Sequence, residues 1–402
     1  MEDTRMNLKA FYALSFTMML TFMGLTVVSP LMAIYAKSMG ASGMLLGIFY
    51  GAFPVSRTLL MPFVGRFSDR RGRKPVMITG LIFYGAITIL YALAQNMLQL
   101  IAIRFAHGFA SALLTPIAAA YIGDICPKGK EATYMGRFNM FQFIGSSLGP
   151  MLGGVLATWW SINSVFYVMT GFVVFVFLLV VFLVPNMKPQ LKQEKTEAPP
   201  VLTILKDNKV KAISMYMASR AIFRNSIGAF LPLLAVETLG MSIATAGFIV
   251  SMYRLAGALG QGILSPVADK FDRKKILILI SLIGPLPVFF LHEMHSALGL
   301  LAILVPVALL NSMSRASAGA YSVEAGKKYS GMGVVQGIIF SAQSTATFIG
   351  PQISGFTMDR FGITYIYLPV AALGMIAAFF VTYWLLKKEP STENILQPTG
   401  HD

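Results

Sequence analysis

Six arginines, Arg57, Arg104, Arg220, Arg224, Arg254 and Arg315, fall inside long apolar runs of this chain. A guanidinium stays charged at ordinary pH and offers five N–H donors in a flat fork that matches carboxylate and phosphate groups. Placing a charge at the centre of an apolar layer costs about 3 kcal/mol even on a lenient scale, so such residues are the first candidates for a binding site. None of the 17 acids falls well inside an apolar run. The arginines therefore call for an anion from outside the chain. Arg220 and Arg224 are spaced i, i+4 and share a helix face. Arg57 and Arg254 occupy near-equivalent places in the two halves of the chain described below. Facing each other, they would clamp a carboxylate or phosphate through paired hydrogen bonds. Tyr253, Gln142 and Gln343 are candidate polar contacts to the same ligand. His107 follows Arg104 by three residues and could carry a coupling proton. The plainer readings stay open beside these. Arg220 and Arg315 could snorkel to a membrane interface, Arg104 could be structural, and His107 could make an ordinary core hydrogen bond. Arg57, Arg224 and Arg254 could bond to helix carbonyls or Gln261.

Other chemistry finds little support. The one cysteine, Cys126, cannot close an internal disulfide, and His107, His292, His295 and His401 are scattered without cysteine partners. No metal or cofactor site is expected. A membrane enzyme would need a nucleophile, a metal or paired carboxylates within reach of one another, and no such set is present. We expect no enzyme.

The elements that must hold these arginines are membrane helices. Hydrophobic residues make up 56% of the 402 and charged residues 12%, about half the charged share of a soluble domain. Runs such as 83–94 and 165–184 are long and unbroken. They suit helices that cross a bilayer with about 20 apolar residues each, not the alternating strands of a barrel. Spans are expected near 10–36, 43–64, 75–95, 98–122, 135–158, 163–184, 211–236, 243–266, 275–292, 297–320, 332–356 and 363–386. The first is read as a retained helix, not a cleaved signal. With the N-terminus taken as cytoplasmic, inner segments hold 24 lysines and arginines and outer loops hold two, Lys37 and Arg360. That bias sets both termini in the cytoplasm. It also accounts for the formal charge of +15 through contact with lipid headgroups, with no nucleic acid.

The chain divides in two. Residues 185–210 carry four prolines and many charges and read as a cytoplasmic linker. They separate a six-helix half at 1–184 from another at 211–388, with a tail at 389–402. The halves align at an offset near 200. Gly47 matches Gly247, Asp69 matches Asp269, Tyr121 matches Tyr321 and Asp124 matches Glu324. At offset 201, Gln142 matches Gln343, and Gly149-Pro150 matches Gly350-Pro351. Small residues at spacing four (Gly145, Gly149, Gly153; Ala346, Gly350, Ser354) mark a face for close helix packing, read either as packing alone or as a pivot.

After the second span the chain reads GRFSDRRGRK, Gly65 to Lys74. This resembles motif A of the major facilitator superfamily, with every defined position filled. The second half has an eroded copy, Ser265 to Lys275, in which Ser265 and Asp272 replace glycines. RFAHGFASALLTP, with Arg104 and Gly108, resembles the family's motif B. GSSLGPMLGG resembles motif C, typical of its twelve-span drug:proton antiporter branch. The resemblance covers nearly the whole chain. It implies an all-α membrane fold of twelve transmembrane helices in two six-helix halves, with the site between the halves near the midplane. It also implies a cytoplasmic charge cluster of Asp69, Arg73 and Asp124 beside Gly65. That cluster would hold the halves together and break on inward opening. The same residues also serve as a positive-inside anchor. Drug:proton antiporters of that branch are expected to carry an acid in the first or seventh span. Here the first has none, and the seventh has Arg220 and Arg224. The expected function is thus secondary active transport, read as proton-linked efflux of an organic anion or amphipathic metabolite. Multidrug:proton export and anion import are the alternatives. The expected setting is a monomer in a bacterial inner membrane.

Overall fold

The computed structural model describes residues 2–127, 131–186, 201–268, 271–329 and 332–387. Lys128, Lys130, Lys188, Lys192, Lys195, Asp269, Lys270, Lys388, most of the linker and the tail lie outside these residues.

Helices account for nearly all of the described chain, and no strand occurs there. The first half consists of α1 (Glu2–Val27), α2 (Ser29–Ser38), α3 (Gly43–Arg71), α4 (Arg73–Leu93), α5 (Met97–Ala112), α6 (Thr115–Ile125), α7 (Glu131–Trp159) and α8 (Ile162–Leu183). A short α9 (Val201–Lys206) closes the linker. The second half follows as α10 (Asn208–Leu233), α11 (Ile243–Ala268), α12 (Arg273–Ile283), α13 (Leu286–Phe289), α14 (Ala297–Lys328), α15 (Met332–Phe361) and α16 (Tyr367–Leu386). Three spans are broken. The breaks fall at Pro30, Pro116 and Pro285, each at the start of the continuing piece. A proline lacks the N–H that would continue the helix and crowds the turn before it. Joining α1 with α2, α5 with α6, and α12 with α13 leaves twelve spans.

Ten of these are long and apolar enough to cross a bilayer. The two outside that set are α10 and α15. α10 carries Arg220 and Arg224, and α15 is rich in Gly, Ser, Thr and Gln. Both are full-length helices that turn polar residues toward the inside of the protein.

Small residues set the packing within each half. Gly145, Gly149 and Gly153 of α7 lie against the backbone of α1 at Met19, Met23 and Val27. In the second half Gly350 of α15 lies against Ile222 of α10, flanked by buried Ala346 and Ser354. The repeat also sets how the halves meet. Gly247 of α11 lies against the Pro150 carbonyl of α7, and Gly47 of α3 lies against the Pro351 carbonyl of α15. The two repeat-matched glycines thus pair crosswise with the two repeat-matched prolines. Further along the α3–α15 seam Gly43 and Gly355 meet backbone to backbone.

These seams lie toward one face of the membrane domain. We call the other face, which bears Arg70, Arg71, Arg73 and Lys74, the basic face. Glycines near it are uncrowded. At Gly65, Gly136, Gly319 and Gly337 an added Cβ would meet nothing within 4 Å among the described residues. The halves are therefore shut at the face opposite the basic one. Gly65 makes no close approach among the described residues in this conformation.

Candidate binding cavity

Arg224 is solvent-accessible although it sits deep in α10, four turns from the helix start. A side chain can be both deep and accessible only where it lines an internal cavity. Arg224 lies within electrostatic range of Arg57, Arg220, Arg254 and Arg315. Tyr253 of α11 shares three of these neighbours, Arg220, Arg254 and Arg315, and lies within range of Arg224 itself. Helices α3, α10, α11 and α14 thus converge their cations on one region between the halves.

The arginines differ in how they are held. Arg57 and Arg224 make no hydrogen bond or ion pair among the described residues, and the Arg57 Nε is buried without a partner. Arg254 reaches the Ser146 carbonyl and Ser29 Oγ, both at 3.4 Å, at the outer limit of a hydrogen bond. Arg315 stacks over the Phe143 ring at 5.7 Å, across the gap between α14 and α7. The clamp expected from Arg57 and Arg254 is not the arrangement found. Each acts on Arg224, which is the centre of the cluster. Two like charges ~8 Å apart repel by roughly 2 kcal/mol at an effective dielectric of about 20, so cations gathered in this way favour an anion among them.

Two of the six arginines face elsewhere. Arg220 does not snorkel. Its Nη1 donates to Tyr216 Oη at 2.9 Å and to the Asn311 carbonyl at 2.5 Å, inside the second half. Arg104 is boxed by Phe49, Tyr50 and Phe53 of α3, at 5.2, 5.8 and 5.1 Å from the ring centroids. This aromatic box gives it a cation–π setting inside the first half. Gly108, one turn on, presses against the Phe53 carbonyl and Ser56, which brings α5 close enough to α3 for the box to form. Gln142 and Gln343 are half-buried at matching positions of α7 and α15. Their side chains find no partner among the described residues.

His107 is fully buried. Its Nδ1 lies 3.2 Å from Tyr91 Oη, and the rings of Phe53, Tyr84 and Tyr91 surround it. It belongs to the core of the first half and not to the wall of the cavity. Its Nε2 has no partner.

Charge clusters at the basic face stay within the halves. Arg73 pairs with Asp69 at 2.5 Å and with Asp124 at 3.1 Å, and donates to Ser68 Oγ at 2.6 Å. All four residues belong to the first half, so the cluster ties α3, α4 and α6 together. Among the described residues it does not bridge the halves as the motif led us to expect. The eroded copy uses other devices. Gly72 joins α3 to α4 at φ +93°, a conformation that favours glycine. Asp272, its counterpart, sits at φ −61° and caps α12 by accepting from the amides of Lys274 and Lys275. Glu324, the match of Asp124, pairs with Lys209 at 3.1 Å. Buried Asp207, the N-cap of α10, accepts from Lys328 at 2.9 Å and from Tyr329 at 2.8 Å. Burial pushes the Asp207 carboxyl up. The bonds from Lys328, Tyr329 and the Val210 amide, with the Lys328 charge, outweigh this and hold it below the ordinary aspartate value.

One functional contact escaped the sequence reading. Asp359, at the end of α15, accepts from the amides of Gly43 and Met44 at 2.6 and 2.8 Å. It caps α3 across the seam and latches the shut face. The signal lay in its position. A carboxylate at a helix C-terminus opposes its own helix dipole, so it serves another helix's N-terminus better.

The chain matches the family model described as Major Facilitator Superfamily in two stretches, residues 14–221 and 213–400. It is 27% identical over 386 residues to a protein of Methanocaldococcus jannaschii named "Uncharacterized MFS-type transporter MJ1560", a match covering 94% of this chain and 99% of that one. It is 26% identical over 401 residues to "Multidrug resistance protein MdtG" of Klebsiella pneumoniae, covering 95% and 94%. Among solved structures, a bacterial homologue of the human lysosomal transporter Spinster, inward-facing and unoccupied, superposes with a TM-score of 0.80 at 14% identity, covering 94% and 97%. The human organic anion transporter MFSD10 does so at 0.65 and 17%, covering 93% and 99%.

Proposed function

The chain belongs to the Major Facilitator Superfamily, a family of multi-pass membrane transporters, and on that footing we propose that it exports an organic anion or amphipathic metabolite by alternating access. The observation that carries this reading is the cluster of Arg57, Arg224, Arg254 and Arg315 about Tyr253, which pairs with no carboxylate among the described residues. An anion entering the cavity supplies the missing charge, and paired guanidinium donors orient it. Gln142 and Gln343 offer neutral contacts from the two halves. Phe143 and Phe223 give an apolar body somewhere to lie. Arg104 and Arg220 support the cavity from within their own halves and shape its potential.

The cycle reads as follows. The basic face is the cytoplasmic one, because short loops on that side collect the cations. The protein sits in a bacterial inner membrane as a monomer with both termini inside. Opening and closing there is assigned to Asp69, Arg73 and Asp124 beside Gly65, which tie α3, α4 and α6 into one unit that would meet the second half when this face closes. Gly149 and Pro150 form the pivot, one packed within its half and the other on the crossed seam. The proton is the proposed driving ion, and His107 is the titratable group assigned to it. Broad multidrug export is the second reading, and the relatives named MdtG favour it.

Uptake into proteoliposomes under an imposed pH gradient separates the readings. Anionic substrates should be carried, and Arg224→Gln and Arg254→Gln should weaken their uptake strongly by raising KM. If cationic dyes move instead and both variants are harmless, the anion reading is wrong.

A further inference from the structure

The two halves repeat in sequence but not in how they fill their interiors. In the first half Tyr84, buried and packed on His107, fills the space between α4 and α5. At offset 200 the counterparts of Tyr84, Tyr91 and His107 are Gly284, Leu291 and Val307. Two aromatic rings and an imidazole are thus replaced by smaller apolar groups or by none. The second half accordingly keeps a cavity of about 40 Å³ walled by α10, α12, α13, α14 and α16. In that measure a single water needs roughly 10–15 Å³. The space suits one small ion with a water or two and excludes an organic substrate.

Its polar wall has no anion among the described residues. Arg220 lines the cavity with Tyr216, Ser219, Ser281 and Asn311. The Asn311 carbonyl already accepts from both Arg220 and Ser314, and Tyr216 Oη is already bonded to Ser314 and Arg220. Ser281 Oγ gives its proton to the Leu277 carbonyl. Ser219 Oγ and the Asn311 side-chain amide line it without a bond among the described residues, and the rest of the Arg220 fork is an unused charged donor inside the half. No carboxylate among the described residues pairs with it. Burying a cation without a partner anion is costly.

We propose that this cavity binds a chloride-sized inorganic anion on Arg220, as a site separate from the substrate cluster. The ion neutralises Arg220 and ties α10 to α14 and α16. It does inside the second half what Tyr84 and His107 do inside the first, where the space is filled covalently.

The test uses the full-length protein in lipid nanodiscs and in crystals. Replacing gluconate by chloride should raise the melting temperature by about 2–4 °C at tenfold saturation. Bromide in crystals should give an anomalous peak within hydrogen-bonding distance of the Arg220 guanidinium. Ala378→Leu, which fills the cavity and leaves the charge in place, should abolish both signals, as should Arg220→Gln. Arg224→Gln, which damages the substrate cluster, should leave both intact. A halide effect lost in Arg224→Gln and kept in Ala378→Leu would assign the ion to the substrate cluster and overturn the proposal. Absence of a bromide peak at Arg220, with the cavity holding water alone, would overturn it as well. If Arg220→Gln fails to fold, Ala378→Leu decides.

Discussion

The first half is packed and the second is charged. In α1–α8 the deep polar groups other than Arg57 and Gln142 are enclosed. Arg104 sits among three rings, His107 lies under Tyr84 and Tyr91, and Arg73 is saturated by Ser68, Asp69 and Asp124. In α10–α16 the deep cations Arg224, Arg254 and Arg315 stand open toward the middle of the protein, and an interior cavity remains beside Arg220. Equal topology with unequal filling implies a division of labour. One half is a rigid wall, and the other carries most of the field that meets the ligand. A carrier that rocks two bodies about a fixed site needs only one of them to hold the charge.

The comparison breaks most severely at Tyr84. Tyr84→Ala would open in the first half a cavity like the one the second half already has. Removing a fully buried aromatic ring costs about 3–5 kcal/mol. The melting temperature should fall by many degrees, and the apparent affinity for substrate should hold in the fraction that stays folded. A stability loss under about 1 kcal/mol would mean that the first half is not the rigid wall described here.

The contrast between Arg224 and Arg104 sharpens the division. Losing a charge-assisted contact of 2–3 kcal/mol corresponds to roughly a 30- to 150-fold loss of affinity. Arg224→Gln should therefore raise the KM for anion uptake by about that factor with little change in melting temperature. Arg104→Gln should do the reverse, lowering the melting temperature and leaving KM within about twofold. If both variants act on KM alike, the cavity draws equally on both halves.

Much of this was readable before any coordinates. An arginine in an apolar run cannot be hidden by composition, and the crossed Gly47–Pro351 and Gly247–Pro150 contacts join residues that the repeat had already matched. Partner choice was less legible. The expected Arg57–Arg254 clamp failed because pairing by repeat position ignores Arg224, which lies on α10, whose repeat partner α1 has no cation at that height. The motif A cluster was expected to bridge the halves. Its ion pairs span only a helix turn and the neighbouring helix, and motif spacing does not show which conformation brings the halves together there. The spans expected near 211–236 and 332–356 are α10 and α15, although their inward-turned polar residues make them the least apolar of the twelve.

A smaller effect is expected at the basic face, where the two halves solve one problem differently. The first half uses the half-exposed Asp69, whereas the second buries Asp207 at 3% side-chain exposure. Asp207→Asn removes a carboxylate that Lys328 and Tyr329 both use, at a cost of about 2 kcal/mol. The pH dependence has a definite sign. A carboxyl held below its ordinary value stabilises the fold above that value, and the gain disappears as pH falls through the depressed folded value. The variant and the parent should thus differ at neutral pH and converge in acid. Melting curves from pH 7 down through pH 3 check this. A difference that grows on acidification would reverse the assignment.

The smallest effect should come from Asp359, and it bears on the crossed seams. The α3–α15 seam has a carboxylate bonding the first two amides of α3. In the α7–α11 seam the matching end of α7 offers Thr158 and Trp159, and Thr158 Oγ1 is spent on the Gly154 carbonyl of its own helix. Only one of the two seams is latched by charge, while both are closed by glycine contacts. Asp359→Ala should consequently weaken closure of that face by about 1 kcal/mol, since partly exposed caps contribute about that much. The population open at that face should rise about fivefold. Spin labels at the ends of α3 and α15 on the shut face should show a longer distance component, and labels across the α7–α11 seam should lengthen with them, because the halves move as bodies. A change confined to α3 and α15 would mean that the seams open one at a time.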